Sequence, residues 1–216
     1  MMKDTPAPTL AYEHRLWSQG YRRVAGLDEA GRGAWAGPVV AAAVVLPHED
    51  SRLTHRLAGV RDSKLLVPGR REALMDVIGE WALALGVGAV PAAVIDAIGI
   101  VPATRRAMAL ALEAVTPAAD YLLIDYLSLP DLSIPQEFMP HGDLNVLSIA
   151  AASIVAKVCR DRMMDRLEGV FPGYGFRQNK GYGTGQHQSA LRTIGPSATH
   201  RFSFSPLQEW RAFLAR

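Results

Sequence analysis

The chain has 216 residues, 49% of them hydrophobic and 20% charged, which suits one globular domain that buries a real core. Its net charge of +2 excludes a polycation that coats nucleic acid unselectively, and its single cysteine excludes an internal disulfide or a zinc site built on several thiolates. Every apolar stretch is interrupted before membrane-spanning length, so we expect a cytoplasmic monomer that binds no membrane.

The first elements predict a helix followed by a β-hairpin. Residues 8–19 favour a short helix, and residues 21–27 favour a strand that ends at a charged, glycine-rich turn, 28–33. The next run, 38–47, is bounded by prolines and rich in valine, which is typical of a buried strand. Two strands joined by a short glycine-rich connection predict a hairpin.

The middle of the chain predicts alternating helices and strands. Residues 69–80 and 102–115 have the apolar spacing of helices, whereas 81–90 indicates a third strand. Residues 121–125 form a short apolar run that ends in an acid, as a strand does when its carboxyl end opens on a site. These elements indicate an α/β or α+β sheet covered by helices.

The last third predicts a long helix and a helical end. One helical pattern extends from 143 to 168 and ends at 171–175, where FPGYG stands. A glycine-rich loop at 180–185, a short helix and a tail follow, so we expect a core of about 20–170 and a small helical part at 171–216. The final LQEWRAFLAR favours a terminal helix over a docking tail.

Charge divides unevenly along the chain. Residues 157–201 hold eight Lys or Arg against three acids, a net charge of +5, while residues 1–156 carry a net charge of −4. This division suits a protein that holds cations in one place and phosphates in another, although solvated helix faces explain part of it.

Four acids lie at the edges of predicted elements: Asp28, Glu29, Asp125 and Asp143. Carboxylates from distant strand ends and a helix start can converge on one pocket, and hard divalent cations such as Mg²⁺ or Mn²⁺ bind oxygen ligands of this kind. Neighbours on a strand point to opposite faces, so Asp28 and Glu29 share a pocket only if the strand ends or bulges there. A turn or helix-capping role remains the alternative for each acid.

The glycines at 31, 33 and 37 offer a second interpretation, a dinucleotide-binding turn of an oxidoreductase. That turn requires a helix after the glycines, whereas here Pro38 and a strand follow. A loop of unobstructed amides that approaches a ligand closely remains, with Arg32 near a phosphate.

Six segments together resemble a known family. They are AGLDEAGRG (25–33), GPVVAAAVVLP (37–47), DSKLL (62–66), GDLNVLSIAAASIVAKVCRDRMM (142–164), KGYGT (180–184) and HRFSFSP (200–206). In order and spacing they resemble the type 2 ribonucleases H, the ribonuclease HII family. The resemblance implies an α/β, ribonuclease H-like mixed sheet flanked by helices. It also implies cutting of the RNA strand of RNA/DNA hybrids and nicking 5′ of ribonucleotides in duplex DNA, with 5′-phosphate and 3′-hydroxyl products.

The resemblance also implies roles for individual residues. The acids Asp28, Glu29, Asp125 and Asp143 match the catalytic ligands of Mn²⁺ or Mg²⁺. The loop of Gly31, Arg32 and Gly33 matches the segment that reads the ribose 2′-hydroxyl. Tyr182 matches an aromatic residue that stacks on the deoxyribose after the ribonucleotide. Positions expected to contact phosphate are Lys64, Ser153, Lys157 and Lys180, each of which has a purely structural alternative.

Four residues depart from the family pattern. Tyr126 follows Asp125 where a small residue is usual, which makes Asp125 the least secure of the four ligands. Asn145 replaces a common lysine, Trp35 replaces an aliphatic residue, and Phe202 replaces a frequent arginine. None of these changes removes a carboxylate.

Three alternatives remain at the level of the sequence. Ribonuclease HIII carries an extra N-terminal domain, for which the roughly twenty residues before the first strand leave no room. A non-catalytic nucleic-acid-binding module is disfavoured by the four acids, which would repel phosphates unless cations bridged them. The dinucleotide-dependent oxidoreductase is disfavoured by the strand that follows the glycines. Docking on a replication clamp is a further possibility for the C-terminus.

Overall fold

The computed structural model describes residues 7–210, which build a five-stranded mixed sheet. In spatial order the strands are β3 (Ala84–Val90), β2 (Val39–Val45), β1 (Val24–Ala30), β4 (Tyr121–Asp125) and β5 (Gln136–Met139). The first three strands in chain order pair antiparallel, whereas β4 runs parallel to β1 and β5 parallel to β4. The predicted hairpin and the predicted third strand are both confirmed.

Helices cover both faces of the sheet. In chain order they are α1 (Ala11–Ser18), α2 (Leu53–Arg56), α3 (Pro68–Trp81), α4 (Ala92–Ile98), α5 (Ile100–Glu113), α6 (Gly142–Asn145), α7 (Leu147–Val170), α8 (Phe176–Asn179) and α9 (Gly185–Ile194), with a 3₁₀ turn at Ser63–Leu65. Two hydrophobic clusters result, one around α7 and one around α5. Within residues 7–210 no helix is long and apolar enough to cross a bilayer.

Helix α7 approaches strand β1 so closely that only glycine fits between them. A Cβ atom added to Gly26 would lie 2.2 Å from the carbonyl carbon of Ser148, a backbone atom that cannot move aside. This contact brings the start of α7, and the short α6 before it, close to the carboxyl end of β1. The position of the site therefore depends on glycine at position 26, where any side chain would separate α7 from β1.

Strand β1 has different bounds from the predicted ones. It begins at Val24 because the amides of Arg22 and Arg23 donate to the Asp120 carboxylate, at 3.1 and 2.9 Å, instead of joining the sheet. It then continues to Ala30, so the prediction that the strand ends before Asp28 is wrong.

The predicted helix at 143–168 is two helices. Val146 has extended backbone angles, φ −112° and ψ 120°, and forms a parallel bridge with Thr9 near the N-terminus. The Leu147 amide donates to the Thr9 carbonyl at 3.0 Å. This external partner breaks the helix and lets Asp143 lie on a separate short turn.

A third cluster supports the predicted helical part at the C-terminus. Buried Tyr174, Phe176, Leu191 and Leu207 pack with Ala36 and Met164. Residues 208–210 are helical, which agrees with the start of the predicted terminal helix. The rest of that prediction, 211–216, lies outside the described residues.

Candidate active site

Strand β1 extends beyond the end of its neighbour β4, and a cluster of acids lies at this offset. The pairing of β1 with β4 ends at Leu27 and Ile124, so Asp28 and Asp125 follow side by side on adjacent parallel strands. Asp143 reaches the same point from α6. One carboxylate oxygen from each of Asp28, Asp125 and Asp143 lies within 4.8 Å of the others.

Glu29 lies beside this cluster, outside the group of three. The strand remains regular through the pair Ala30 and Val40, so the expected strand end or bulge is absent at Glu29. The Glu29 side chain accepts a hydrogen bond from Arg32 Nη1 at 3.2 Å, and its carboxylate is close enough to Asp28 and Asp125 for mutual repulsion. Its second oxygen, Oε2, is buried without a partner among the described residues. A cation near Asp28 and Asp125 would satisfy that oxygen.

Burial and mutual repulsion shift the pKa values of these acids. Burial raises the pKa of Asp28 well above its usual range, and repulsion from Glu29 and Asp125 adds to the effect. Burial, with repulsion from Asp62 and Asp125, raises the pKa of Asp143 to about 6. Burial also raises the pKa of Glu29, against the opposing effect of Arg32. Acids this poorly compensated favour a bound cation, and their all-oxygen donor set fits a hard divalent metal.

Lys64 is the positive group nearest to the cluster. Its ammonium lies 3.6 Å from Asp143 Oδ2 and 3.9 Å from Asp62 Oδ1, while its side chain remains 77% exposed. Burial would lower the pKa of Lys64, but attraction to Asp62, Asp143 and Asp28 outweighs it and raises that pKa. The ammonium is therefore charged and accessible at the rim of the acidic pocket.

Ser153 lies beneath the turn that carries Lys64. Its hydroxyl donates to the Ala150 carbonyl at 2.9 Å and accepts from the Ser63 amide at 3.2 Å, and the side chain is buried. Both hydrogen bonds are internal, so the hydroxyl does not reach the surface. In the structure Ser153 holds the turn that carries Lys64, and its contact with phosphate stays a prediction.

The loop at 31–33 is fastened from below by two buried arginines. Gly31 has φ +89°, and a Cβ added to it would lie 1.8 Å from Nε of Arg160. The Arg32 carbonyl accepts from Arg201 Nη1 at 2.9 Å. Gly33 differs, because an added Cβ would meet none of the described atoms within 4 Å. Protein packing thus explains Gly31, whereas Gly33 faces open space beside the acids.

Tyr126 has an unusual backbone conformation for a bulky residue. Its φ of 65° lies in the left-handed region that favours glycine. Its exposed ring lies 5.2 Å from the guanidinium carbon of Arg32. Asp125 keeps its place nonetheless, because its Oδ1 accepts from the Gly142 amide at 2.8 Å.

Tyr182 stands on a loop joined to the one that carries the glycines. The Gly181 carbonyl accepts from the Trp35 amide at 2.8 Å, and the Lys180 carbonyl accepts from Arg160 Nη1 at 2.9 Å. The tyrosine ring is 38% exposed and lies 5.5 Å from the guanidinium carbon of Arg160. Arg160 therefore touches both loops and sets the distance between them.

An open groove of about 520 Å³ continues from Tyr182 along α7. Lys157 and Lys180 line it, but each already has an acidic partner. The Lys157 ammonium lies 2.6 Å from Asp161 Oδ1, and Lys180 pairs with Asp165. The two predicted phosphate contacts thus lie in one groove, with their charges partly offset.

Comparison with known proteins agrees with this arrangement. The family profile described as Ribonuclease HII matches residues 25–206. A ribonuclease HII from Roseiflexus castenholzii is 53% identical over 207 residues, which cover 96% of this chain and 92% of the relative. The chain belongs to the ribonuclease HII family. Members of this family are ribonucleases, and the predicted enzyme class and divalent-metal dependence are confirmed at this level.

Solved structures confirm the predicted ribonuclease H-like fold. The ribonuclease H2 of Pyrococcus horikoshii OT3 aligns with a TM-score of 0.73 at 24% identity, covering 90% of this chain and 99% of that one. The ribonuclease HII of Archaeoglobus fulgidus, solved as a complex with PCNA, aligns with a TM-score of 0.71 at 27% identity, covering 85% and 95%. The family profile also excludes the oxidoreductase alternative.

Sequence reasoning missed the residues that support the site from behind. Arg160 and Arg201 are fully buried and bind backbone carbonyls, and His187 and His200 are buried next to them. Arg160 gives no signal of burial in the sequence, because charged Lys157, Asp161 and Arg162 surround it in the same helix. The sequence contains no such signal for the histidines either.

Proposed function

We propose that this ribonuclease HII hydrolyses the RNA strand of RNA/DNA hybrids and nicks duplex DNA on the 5′ side of an embedded ribonucleotide, leaving 5′-phosphate and 3′-hydroxyl ends. The observation that carries the proposal is the juxtaposition of the Asp28, Asp125 and Asp143 cluster with the Gly31 to Gly33 loop. The glycines begin one residue after the strand that carries Asp28.

The acids fit the first task, which is to hold Mg²⁺ or Mn²⁺. Asp28, Asp125 and Asp143 would bind the cations, with Glu29 completing the set through its unpaired oxygen. When bound, such ions lower the pKa of an attacking water and offset the charge on the leaving 3′ oxygen. Asp125 is fixed for this task by the Gly142 amide, and Lys64 brings a positive charge to the rim where a phosphate would enter.

The loops fit the second task, which is to recognise the ribonucleotide. The open space at Gly33 lets a sugar approach the backbone closely, and a backbone amide can donate to a 2′-hydroxyl, which DNA lacks. The exposed ring of Tyr182 offers a flat surface for the next deoxyribose. Lys157 and Lys180 follow along the groove. A phosphate bound there would replace the carboxylate that now pairs with each lysine.

The test uses a DNA duplex that contains one ribonucleotide, incubated with and without Mn²⁺. Wild type is expected to nick it only with metal, and Asp28→Asn to bind without cutting. Asp131→Asn changes an exposed acid outside the cluster and is expected to match wild type. Extension of the nick by a DNA polymerase reports the 3′-hydroxyl end. Metal-independent cutting, or full activity of Asp28→Asn, would contradict the proposal. Tight binding by wild type without any cutting would favour the non-catalytic module.

We also propose that the C-terminus docks on a replication clamp. The Archaeoglobus fulgidus relative was solved together with PCNA. In this chain Leu207 is buried and residues 208–210 are helical, so the described part of the chain is anchored up to this point. Deletion of 211–216 is expected to abolish co-elution with the clamp while nicking is unchanged. If co-elution persisted, docking through the C-terminus would be contradicted and the proposed nuclease activity would be unaffected.

A further inference from the structure

Two buried histidines face each other behind the Tyr182 loop. His187 and His200 are 0% and 1% exposed, and their Nε2 atoms lie 3.0 Å apart. The rings of Trp35, Tyr174 and Phe176 surround them, with centroids 4.8 to 5.8 Å from one or other imidazole. A polar pair inside an aromatic cluster is costly unless its hydrogen bonds are complete.

The neighbours of the pair determine where each proton lies. Three groups of Ser197 lie near His200 Nδ1: the amide at 2.9 Å, the hydroxyl at 2.9 Å and the carbonyl at 3.2 Å. The amide can only donate and its N–H points at Nδ1, so we assign Nδ1 as unprotonated and place the hydrogen on Nε2. His200 Nε2 therefore donates to His187 Nε2, which accepts. His187 must then be protonated at Nδ1, which donates to the Tyr182 carbonyl at 3.0 Å. The result is a chain of three hydrogen bonds with one direction, from Ser197 to Tyr182.

This chain requires both imidazoles to be neutral. Burial lowers the pKa of His187, and burial together with repulsion from His187 lowers the pKa of His200 to about 4. The titratable group that packs against the pair from the neighbouring segment is Tyr174, whose pKa is raised by burial and whose hydroxyl donates to the Gly195 carbonyl at 2.8 Å. At neutral pH the direction of the chain is thus fixed.

We propose that His187 and His200 are positioning residues that hold the Tyr182 backbone at the angle needed to recognise a ribose–deoxyribose junction. The inference rests on the proposed role of Tyr182. The other carbonyls of this loop are also held, by Arg160 at Lys180, by the Trp35 amide at Gly181 and by Gln188 Nε2 at Gly183. The Tyr182 carbonyl accepts from the Thr184 amide at 2.8 Å as well as from His187. The histidine contact is the one that connects this carbonyl to the segment 197–200.

The first experiment measures the proton positions directly. Two-bond ¹H–¹⁵N spectra of the full chain labelled on its six histidines separate the two neutral tautomers. We expect His187 protonated at Nδ1 and His200 at Nε2, with assignments from the signals lost in His187→Gln and His200→Gln. An Nδ1-protonated His200, or a charged imidazole at pH 7.5, would overturn the inference.

The second experiment measures the junction preference, which is the ratio of nicking rates on a single-ribonucleotide duplex and on a continuous RNA/DNA hybrid. His200→Phe preserves aromatic packing but cannot donate to His187, so we expect the ratio to fall about fivefold, the size of one lost hydrogen bond. His200→Gln retains a donor near the same place and is expected to remain within about twofold of wild type. Tyr174→Phe, the matched control, removes one hydrogen bond from the same cluster and is expected to leave the ratio unchanged.

The outcomes separate this inference from the proposed function. A fall in the ratio with His200→Phe and its recovery with His200→Gln would support the positioning role. An equal fall with Tyr174→Phe, or none with His200→Phe while Tyr182→Ala removes the preference, would overturn it and leave the proposed function intact. If wild type itself showed no junction preference, the proposed function would fail first.

Discussion

Asp28 illustrates how a single residue can serve function at the expense of stability. It is buried, its pKa is raised, and it lies among three further acids at the end of β1. In the metal-free protein its negative charge is repelled by Glu29 and Asp125 at neutral pH. The folded state therefore gains little from this carboxylate unless a cation binds there.

Replacing that carboxylate should stabilise the metal-free protein. Asp28→Asn retains an oxygen that can accept from the Glu29 amide but removes the charge, so we expect the free energy of unfolding at pH 8 in EDTA to rise by about 1–2 kcal/mol. Urea denaturation measures it, with Asp131→Asn as the exposed control. A loss of stability would show that the repulsion is weaker than the geometry indicates.

Two glycines of one loop should respond in opposite ways to the same substitution. Gly31→Ala places a methyl group against Arg160 at a φ of +89°, and we expect a loss of about 2–3 kcal/mol. Gly33→Ala meets open space, so its stability should stay within about 0.5 kcal/mol of wild type while nicking at a ribonucleotide falls at least tenfold. Thermal unfolding and nicking assays on both variants check this. If Gly33→Ala were stable and fully active, the proposal that the substrate closely approaches the backbone at Gly33 would be wrong.

At the scale of elements, the packing of α7 on β1 depends on Gly26. Gly26→Ala would overlap backbone atoms of Ser148 and Ile149, and we expect about 3 kcal/mol or more of destabilisation. Gly79→Ala, on the exposed face of α3, is the matched control and should gain about 0.5–1 kcal/mol through helix propensity. Urea denaturation of both variants tests the pair, and a mild effect at Gly26 would mean that α7 can shift without loss.

The main elements were predictable where their patterns are local. The sequence shows the valine-rich run of β2 and the helical spacing of α3 and α5. All three elements are found at nearly the predicted bounds. Strand β5 was missed because its residues, Gln136–Met139, are half exposed and lack an apolar alternation. The break between α6 and α7 was missed because its cause, the bridge from Val146 to Thr9, connects residues far apart in the chain.

The residues of the site also include some that the sequence predicts and others that depend on contacts between distant parts of the chain. The acids are visible because strands and helices end near them. The sequence did not show that β1 remains paired with β2 beyond Glu29, because that pairing depends on the partner strand. Ser153 shares a helix face with Lys157, which suggests a common surface, but the Ser63 turn covers it. Arg160 and Arg201 bind carbonyls from loops more than a hundred residues away in sequence, which no local pattern reports.

Across the whole molecule, the positive charge of residues 157–201 is less available to phosphates than its net value of +5 implies. Asp161 lies within ion-pair distance of Lys157 and Arg71, Asp165 pairs with Lys180, and Glu72 pairs with Arg162. These acids lie on α7 and α3, along the groove that leads from Tyr182. A phosphate that enters the groove must therefore compete with a carboxylate, which favours selective over unselective binding.

Metal binding should couple to pH across the whole protein. The pKa values of Asp28, Glu29 and Asp143 are raised, so the metal-free folded state holds protons that the unfolded chain has lost. These acids therefore contribute stability below about pH 4 that is lost as pH rises through their folded pKa values, which for Asp143 is about 6. Mg²⁺ replaces those protons. We expect the increase in Tm on adding 10 mM Mg²⁺ to be several degrees at pH 7.5 and near zero at pH 5.

The lowered pKa values of buried His187 and His200 give the folded protein a pH dependence of the opposite sign. This contribution is the same with and without metal, so it cancels in the increase in Tm. Differential scanning fluorimetry at the two pH values measures it. Asp28→Asn serves as the control and should lose most of the increment. An equal increment at both pH values would place the metal elsewhere.

Arg201 has one more effect, which follows from the planarity of the peptide bond. In a trans peptide the carbonyl of one residue and the amide of the next point in opposite directions. Arg201 binds the Arg32 carbonyl from inside the protein, so the Gly33 N–H points the opposite way, away from Arg201. A guanidinium sealed inside the protein thereby orients a hydrogen-bond donor at its surface, and the ability to tell ribose from deoxyribose would be encoded in part by a residue that the nucleic acid never meets.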